Sequence, residues 1–447
     1  MQKHSKLNLF DFTMIVVSLV IGMGIFRTPV NVAKAVPSPL VFFAAWLAGG
    51  FIAICGALTY AEIGSRFPVT GGYFRIFSYC YHPSIAFAVN CVILISNAAS
   101  LAGVALIGAE YIAKVIFPGA SNYETIQVVI AIVSISIFYG VNLAGLKMSA
   151  RTQNVLTLIK IGMVLTLILP LFFAHPAPQP LLDPSVSSGT IGEYLKAFGV
   201  GLVAVSFTYG GYQQTINFGS EVRNPNRNIP RGIFIGISII IVLYLTINYA
   251  YYSVIGFQNM KNAQGIAAIM ASHVFGNAAG KILSVLLFLS VLAYVNVLLM
   301  SNPRVMFAMS EDGVLPAVFR KRNTTTDVMV ISLTAFATAC VIIVFWAKKF
   351  DEILSFSIFL DCFGMALSSG SIFILRKRTA HLDPKSIYTM KLYPLLPIIF
   401  ILAYVFVGIS IFIDKPSTAL TGLAVLAVFM IIYFVSHRER RKDITYS

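Results

Sequence analysis

Two long apolar stretches of this chain are interrupted by glycine. Residues 12–36 contain Gly22-Met23-Gly24-Ile25-Phe26, and residues 191–218 contain Phe207-Thr208-Tyr209-Gly210-Gly211. In lipid every backbone N–H and C=O needs a partner, so a helix broken at mid-depth makes sense only where it lines a cavity. The groups freed by the break can then bind a solute. At the first break Gly22 and Gly24 admit backbone angles closed to other residues. Unwinding there exposes N–H groups at the start of the outer half-helix, and helix N-termini favour anions such as a carboxylate. The competing reading is that these glycines serve only close helix packing. At the second break the C-terminal end of an inner half-helix offers carbonyls, which suit an ammonium group. One anion pole and one cation pole fit a zwitterion better than a sugar or a lone ion. Phe207 is a candidate lid over such a solute, and Gln213 a candidate partner for a polar side group. With 35 phenylalanines in the chain, plain packing competes for Phe207.

Three charges stand inside apolar runs, where an ionisable residue is a functional hypothesis by default. Lys160 lies in the run from Leu156 to Leu169. It can brace neighbouring helices as a fixed cation, or bind and release a proton. Snorkelling to the interface is the alternative, but Lys160 is about 13 Å along a helix from Arg151. Arg27 directly follows the first break, where it can face an outer vestibule, pair with an acid or attract an anionic group. Asp361 lies in the run from Phe356 to Phe373, and charge complementarity makes it a candidate outer-gate partner for Arg27 or a site of proton movement.

The elements that must hold these residues are membrane helices. The chain has 447 residues, of which 58% are hydrophobic and 11% charged. A soluble domain is nearer 25% charged. Twelve spans are expected, over residues 12–36, 40–62, 84–112, 124–146, 153–174, 191–219, 231–256, 278–308, 328–347, 352–375, 393–413 and 417–436, most of them near the ~20 residues that cross a bilayer. The first apolar segment is too long for the core of a cleavable signal peptide. The fold class expected is all-α, polytopic, in one transmembrane domain over 1–447. Breaks in the first and sixth spans fit a five-plus-five inverted repeat, 12–175 and 191–375, with two trailing helices over 393–436. His175-Pro-Ala-Pro-Gln-Pro180 reads as an extended outer connection. Residues 262–275 read as an outer helix lying over a pathway, with an ordinary mobile loop as the competing reading.

The net charge of +15 is topology rather than a nucleic-acid site. Most Lys and Arg fall in the loops that share a face with both termini, which the positive-inside rule places in the cytoplasm. The five cysteines show no C-x-x-C pair, so neither a disulfide framework nor a metal site is expected. No H-E-x-x-H or G-x-S-x-G motif marks a membrane-embedded enzyme, no cofactor is implied, and no repeated filter loops mark a channel. A sensor that keeps a transporter fold without transporting is a further alternative.

Several stretches resemble the amino acid–polyamine–organocation superfamily. Gly22-Met-Gly-Ile-Phe26 resembles its G-S-G-I-F signature. Phe207-Thr-Tyr-Gly-Gly-Tyr212 resembles the F-A-Y-G-G-W of its L-type amino acid transporter branch, and Glu221-Val-Arg-Asn-Pro-Asn-Arg-Asn-Ile-Pro-Arg231 the E-V-K-N-P-x-R-N-I-P-R that follows. Tyr60-Ala-Glu62 with Pro68 and Gly71-Gly72, and Pro303-Arg304 with Phe307-Ala-Met-Ser-Glu-Asp-Gly313, match further family stretches in order. The resemblance implies a LeuT-type fold with helices 1 and 6 broken. It also implies sodium-independent transport of neutral amino acids by exchange or proton coupling. It carries carboxylate binding to Gly22, Met23, Gly24 and Ile25, the gate aromatic to Phe207, amine binding to Phe207 and Gly210, and a built-in replacement for sodium to Lys160. Met23 stands where the family carries Ser, Thr or Ala. That leaves a carboxylate to backbone donors and narrows the pocket. Some family members pair by a disulfide with a single-span partner. No outer-loop cysteine is seen here, so none is expected. The compact loops point to a bacterial inner membrane.

Overall fold

The computed structural model describes residues 6–174, 190–263, 265–346, 350–383 and 385–445, with backbone alone for 346, 350–358, 414, 418 and 436–445. The predicted connection from His175 lies outside the described residues. Among those described, nine helices are long and apolar enough to cross a bilayer. A bent pair adds a tenth, and two shorter apolar helices, Val330–Phe345 and Ala419–Val435, complete the predicted twelve.

The first span is α1 (Leu9–Val20) and α2 (Gly24–Ala35), bent by 41° at the break. Asn8 and Asp11 start α1 with a reciprocal capping box. The second span is α3 (Pro39–Arg66). A short buried helix that the sequence did not announce, α4 (Gly72–Cys80), then leads into α5 (Pro83–Ile116), α6 (Tyr123–Leu143) and α7 (Leu146–Ile168). The sixth span begins as α8 (Ile191–Tyr209) and continues past the break as two 3₁₀ turns, Tyr212–Asn217 and Gly219–Glu221. After α9 (Pro225–Ile255), the two short helices α10 (Phe257–Asn262) and α11 (Ile266–Phe275) cross a surface before α12 (Ala279–Glu311). The last spans are α13 (Val330–Trp346), α14 (Phe350–Arg378), α15 (Leu395–Asp414) and α16 (Pro416–Thr445).

Close approach of helices follows small residues, as expected where lipid supplies no hydrophobic drive between them. A Cβ on Gly232 or Gly236 of α9, one turn apart, would stand 2.5 Å from Phe12 and 2.6 Å from Val16 of α1. The face carrying Leu7, here the N-terminal face, is sealed by polar contacts. Leu7 N donates to Glu221 O at 2.8 Å and Arg223 N to Leu7 O at 2.8 Å. Arg304 holds the Glu221 carboxylate through Nη2 at 2.5 Å and Nε at 2.8 Å. Arg75 pairs with Glu311 at 2.6 Å and with Asp312. Glu62, wholly buried, accepts from Arg66 Nε at 2.6 Å, from Arg376 Nε and Nη2 at 2.7 Å each, and from Met390 N at 2.9 Å. Two guanidinium groups and a backbone N–H make this buried carboxylate tolerable, because charge-assisted bonds satisfy both of its oxygens.

Candidate functional site

A cavity of about 540 Å³ lies where the two breaks meet. Its wall includes Gly22, Met23 and Gly24 from the first break and Phe207, Gly210, Gly211 and Gln213 from the second. Lys415, which caps α15 at the end away from the Glu62 cluster, also lies on the wall, so the cavity opens away from the N-terminal face. Phe207 is 41% exposed, an unpacked ring at the rim.

The break in the first span is fixed from three sides. A helix leaves its last carbonyls without intrahelical partners, and here other residues supply them. Lys160 Nζ donates to Ile21 O at 2.5 Å and lies 3.4 Å from both Ser18 O and Ser18 Oγ. Tyr244 OH donates to Val20 O at 3.2 Å, and Gly22 N to the same oxygen at 2.8 Å. Beyond the break, α2 begins at Gly24; Phe26 N donates to Met23 O at 3.2 Å, which leaves the N–H groups of Gly24 and Ile25 without an acceptor within the helix. The packing alternative applies to Gly24, whose Cβ would stand 3.2 Å from Thr208, but not to Gly22, where nothing lies within 4 Å.

The second break ends α8. Gly211 has φ of +110° and packs against the Leu19 carbonyl of α1, so the two breaks touch through backbone. Gly210 N donates to Phe207 O at 3.2 Å, and the carbonyls of Ser206, Thr208 and Tyr209 end the helix without intrahelical donors. The half-helix that ends here is the one remote from the N-terminal face, not the inner half that the sequence reading named. Thr208 Oγ1 donates to Thr28 Oγ1 at 2.8 Å and ties α8 to α2.

Not every expected residue faces the cavity. The Ile25 side chain is wholly buried and off the wall, leaving only its backbone N–H near the first turn. Gln213 is on the wall, but its Oε1 accepts from Gly211 N at 2.8 Å, so its amide nitrogen is the group left for a ligand. Lys160 is wholly buried beneath the break and off the wall, which excludes snorkelling. Arg27 and Asp361 both line the cavity, and no ion pair joins them among the described residues. The helix predicted over 262–275 appears as α11, but it is not on the cavity wall.

Other wall residues were not singled out from sequence. Ser96, Asn97 and Ser100 share a face of α5, and Ser100 Oγ lies 3.0 Å from Tyr294 OH. Ser96 Oγ and Ser206 Oγ are buried without a partner among the described residues. The available signal was helical spacing of small polar residues in apolar runs. A second cavity, about 470 Å³, lies at the N-terminal face and is lined by residues including Lys6, Asn142, Ser149, Glu221 and Arg304. Among the described residues no group of three His, Cys, Asp or Glu could hold a metal ion.

A family model described as amino acid permease matches residues 7–436. The serine/threonine exchanger SteT of Bacillus subtilis (strain 168) is 29% identical over 443 residues, covering 96% of each chain. Large neutral amino acids transporter small subunit 2 of Homo sapiens is 24% identical over 94% of this chain and 78% of its own. Asc-type amino acid transporter 1 of Mus musculus is 23% identical over 98% and 82%.

Proposed function

The chain belongs to the amino acid permease family, and from that premise we propose that it exchanges neutral amino acids across the membrane by alternating access, without sodium. The observation that carries the reading is the meeting of two helix breaks in one cavity. The α2 N-terminus offers N–H donors to a carboxylate and the α8 C-terminus offers carbonyls to an ammonium. A cavity of about 540 Å³ suits one amino acid with some water. Relatives named for serine and threonine and for large neutral amino acids support the neutral class, and one named an exchanger supports exchange over proton symport. Lys160 supports sodium independence, because its ammonium already occupies the carbonyls at the end of α1.

In this reading the spans form two five-helix repeats, 12–175 and 191–375, plus the pair over 393–436. Both termini face the cytoplasm of a bacterial cell. The structure then corresponds to an outward-open state, with the ion pairs of Glu221 and Arg75 closing the cytoplasmic side. The five cysteines are free and wholly or partly buried.

Radiolabelled uptake into proteoliposomes in sodium-free buffer tests this, with and without internal amino acid and with and without an inward proton gradient. Uptake of neutral amino acids that requires internal substrate is expected. Uptake into empty vesicles that follows the proton gradient would replace exchange by symport. Substrate-induced thermal stabilisation without flux would indicate a sensor.

Phe207 closes over the solute in this reading. Phe207→Ala is expected to lower uptake about tenfold or more, with the melting temperature unchanged because the ring is unpacked here. Uptake at the wild-type rate would remove Phe207 from the gate. Arg27 and Asp361 face the same cavity with no ion pair between them among the described residues, and close into one when the outer side shuts. Arg27→Gln and Asp361→Asn should then be non-additive in uptake. A double variant as impaired as the two single effects combined would count against the pair.

A further inference from the structure

We infer that Gln153 is a positioning residue that latches the half-helix α1 to α12 and so holds the N-terminal face shut. The inference rests on the transporter reading, in which α1 must leave its neighbours for solute to exit.

Gln153 is wholly buried at the centre of a hydrogen-bonded side-chain cluster drawn from four helices. Its Nε2 donates to Ser18 Oγ of α1 at 2.6 Å and to Thr157 Oγ1 of α7 at 3.2 Å. Its Oε1 accepts from Asn296 Nδ2 of α12 at 2.7 Å. The same Asn296 nitrogen lies 3.2 Å from Ser149 O. Asn296 Oδ1 accepts from Asn142 Nδ2 of α6 at 2.9 Å. Ser18 lies one turn before the break and also contacts Lys160.

The position of the cluster gives it a role beyond packing. Leu19 and Val20, just beyond Ser18, line the cavity of about 540 Å³, and Asn142 and Ser149 line the second cavity of about 470 Å³. The cluster is thus part of the layer between the two. Solute passing from one to the other requires α1 to separate from α12, and Ser18–Gln153 is a bond that must open. In a low-dielectric interior a satisfied polar network is rigid, and a partly satisfied one is unfavourable. While Ser18 is docked, the Gln153 amide is satisfied on both sides. When α1 tilts, Nε2 keeps only Thr157. The bond therefore weights the balance toward the state with its N-terminal face closed, without touching solute.

Two reporter cysteines read this balance in the purified full chain. Leu299→Cys sits on the wall of the N-terminal cavity and Asn31→Cys on the wall of the other. Each is labelled with a maleimide and compared with a parent lacking the reporter. Gln153→Met keeps the volume and removes the hydrogen bonds. It should speed labelling at Leu299→Cys about five- to tenfold, the scale of one hydrogen bond's net contribution, and slow labelling at Asn31→Cys. Ser18→Ala should do the same, and the double variant should label no faster than either single one. Unchanged labelling in Ser18→Ala overturns the latch, even if Gln153→Met fails to fold. Faster labelling at both reporters overturns it as well, since that is general loosening. Labelling needs no substrate, so absent uptake with the expected labelling would sink the transport reading and leave the latch standing.

Discussion

Lys160→Met should reduce uptake about a hundredfold or more while the chain still inserts and folds. The ammonium is the donor for the last carbonyls of α1, at 2.5 Å from Ile21 O and 3.4 Å from Ser18 O. Methionine fills the same space and donates nothing. A hundredfold loss corresponds to about 2.7 kcal/mol, and a single charge-assisted hydrogen bond is worth about 1.5–3 kcal/mol. The missing bond alone is therefore large enough, because it sets the angle at which α1 meets the first N–H groups of α2. Stability should change less than transport. Removing the ammonium also removes the penalty of holding a charge away from water, which offsets the lost bonds. Lys160→Arg should not rescue, because the site is wholly buried and a planar guanidinium is larger than the space. The check is uptake normalised to inserted protein, alongside the melting temperature. Uptake within tenfold of wild type would show that the break holds its shape without this cation. An equal loss of melting temperature and uptake would make Lys160 a folding residue only.

The spans and the first break were legible because both are local signals. An apolar run reads as a span, and glycines inside it read as an interruption. The meeting of the breaks was legible only as a pair of poles, since nothing in the sequence says that Gly211 rests on the Leu19 carbonyl. Past the second break the chain turns into 3₁₀ geometry over Tyr212–Asn217 rather than a regular half-helix, and apolarity does not distinguish the two. Gln213 was expected to meet a ligand, yet half of its amide is spent on Gly211 N two residues away, a local competition that periodicity cannot reveal. Ile25 belongs to the motif but turns its side chain into the core. Glu62 showed only as part of a motif. Its partner Arg376 lies 314 positions further along, and no local pattern connects them. The Gln153 cluster was silent for the same reason. Single Asn, Gln and Ser residues in apolar helices look alike until four helices bring them together.

Gly211→Ala should abolish uptake and destabilise the fold by about 3 kcal/mol, from backbone strain of roughly 1–3 kcal/mol and overpacking of similar size. At φ of +110° an L side chain is strained wherever it points. Here it also points at the Leu19 carbonyl, and backbone on both sides leaves no flexible group to yield. Any relief must push the second break away from the first, which separates the carbonyls ending α8 from the N–H groups opening α2. Substrate binding should therefore fail together with stability. Gly22→Ala supplies the contrast, because a Cβ there meets nothing within 4 Å and projects where the solute would lie. It should keep the wild-type melting temperature and raise the apparent KM. Thermal unfolding of both variants in detergent, with and without substrate, separates the two cases. A Gly211→Ala protein with wild-type melting temperature and substrate-induced stabilisation would mean that the breaks need not touch to bind, and that the two poles act independently.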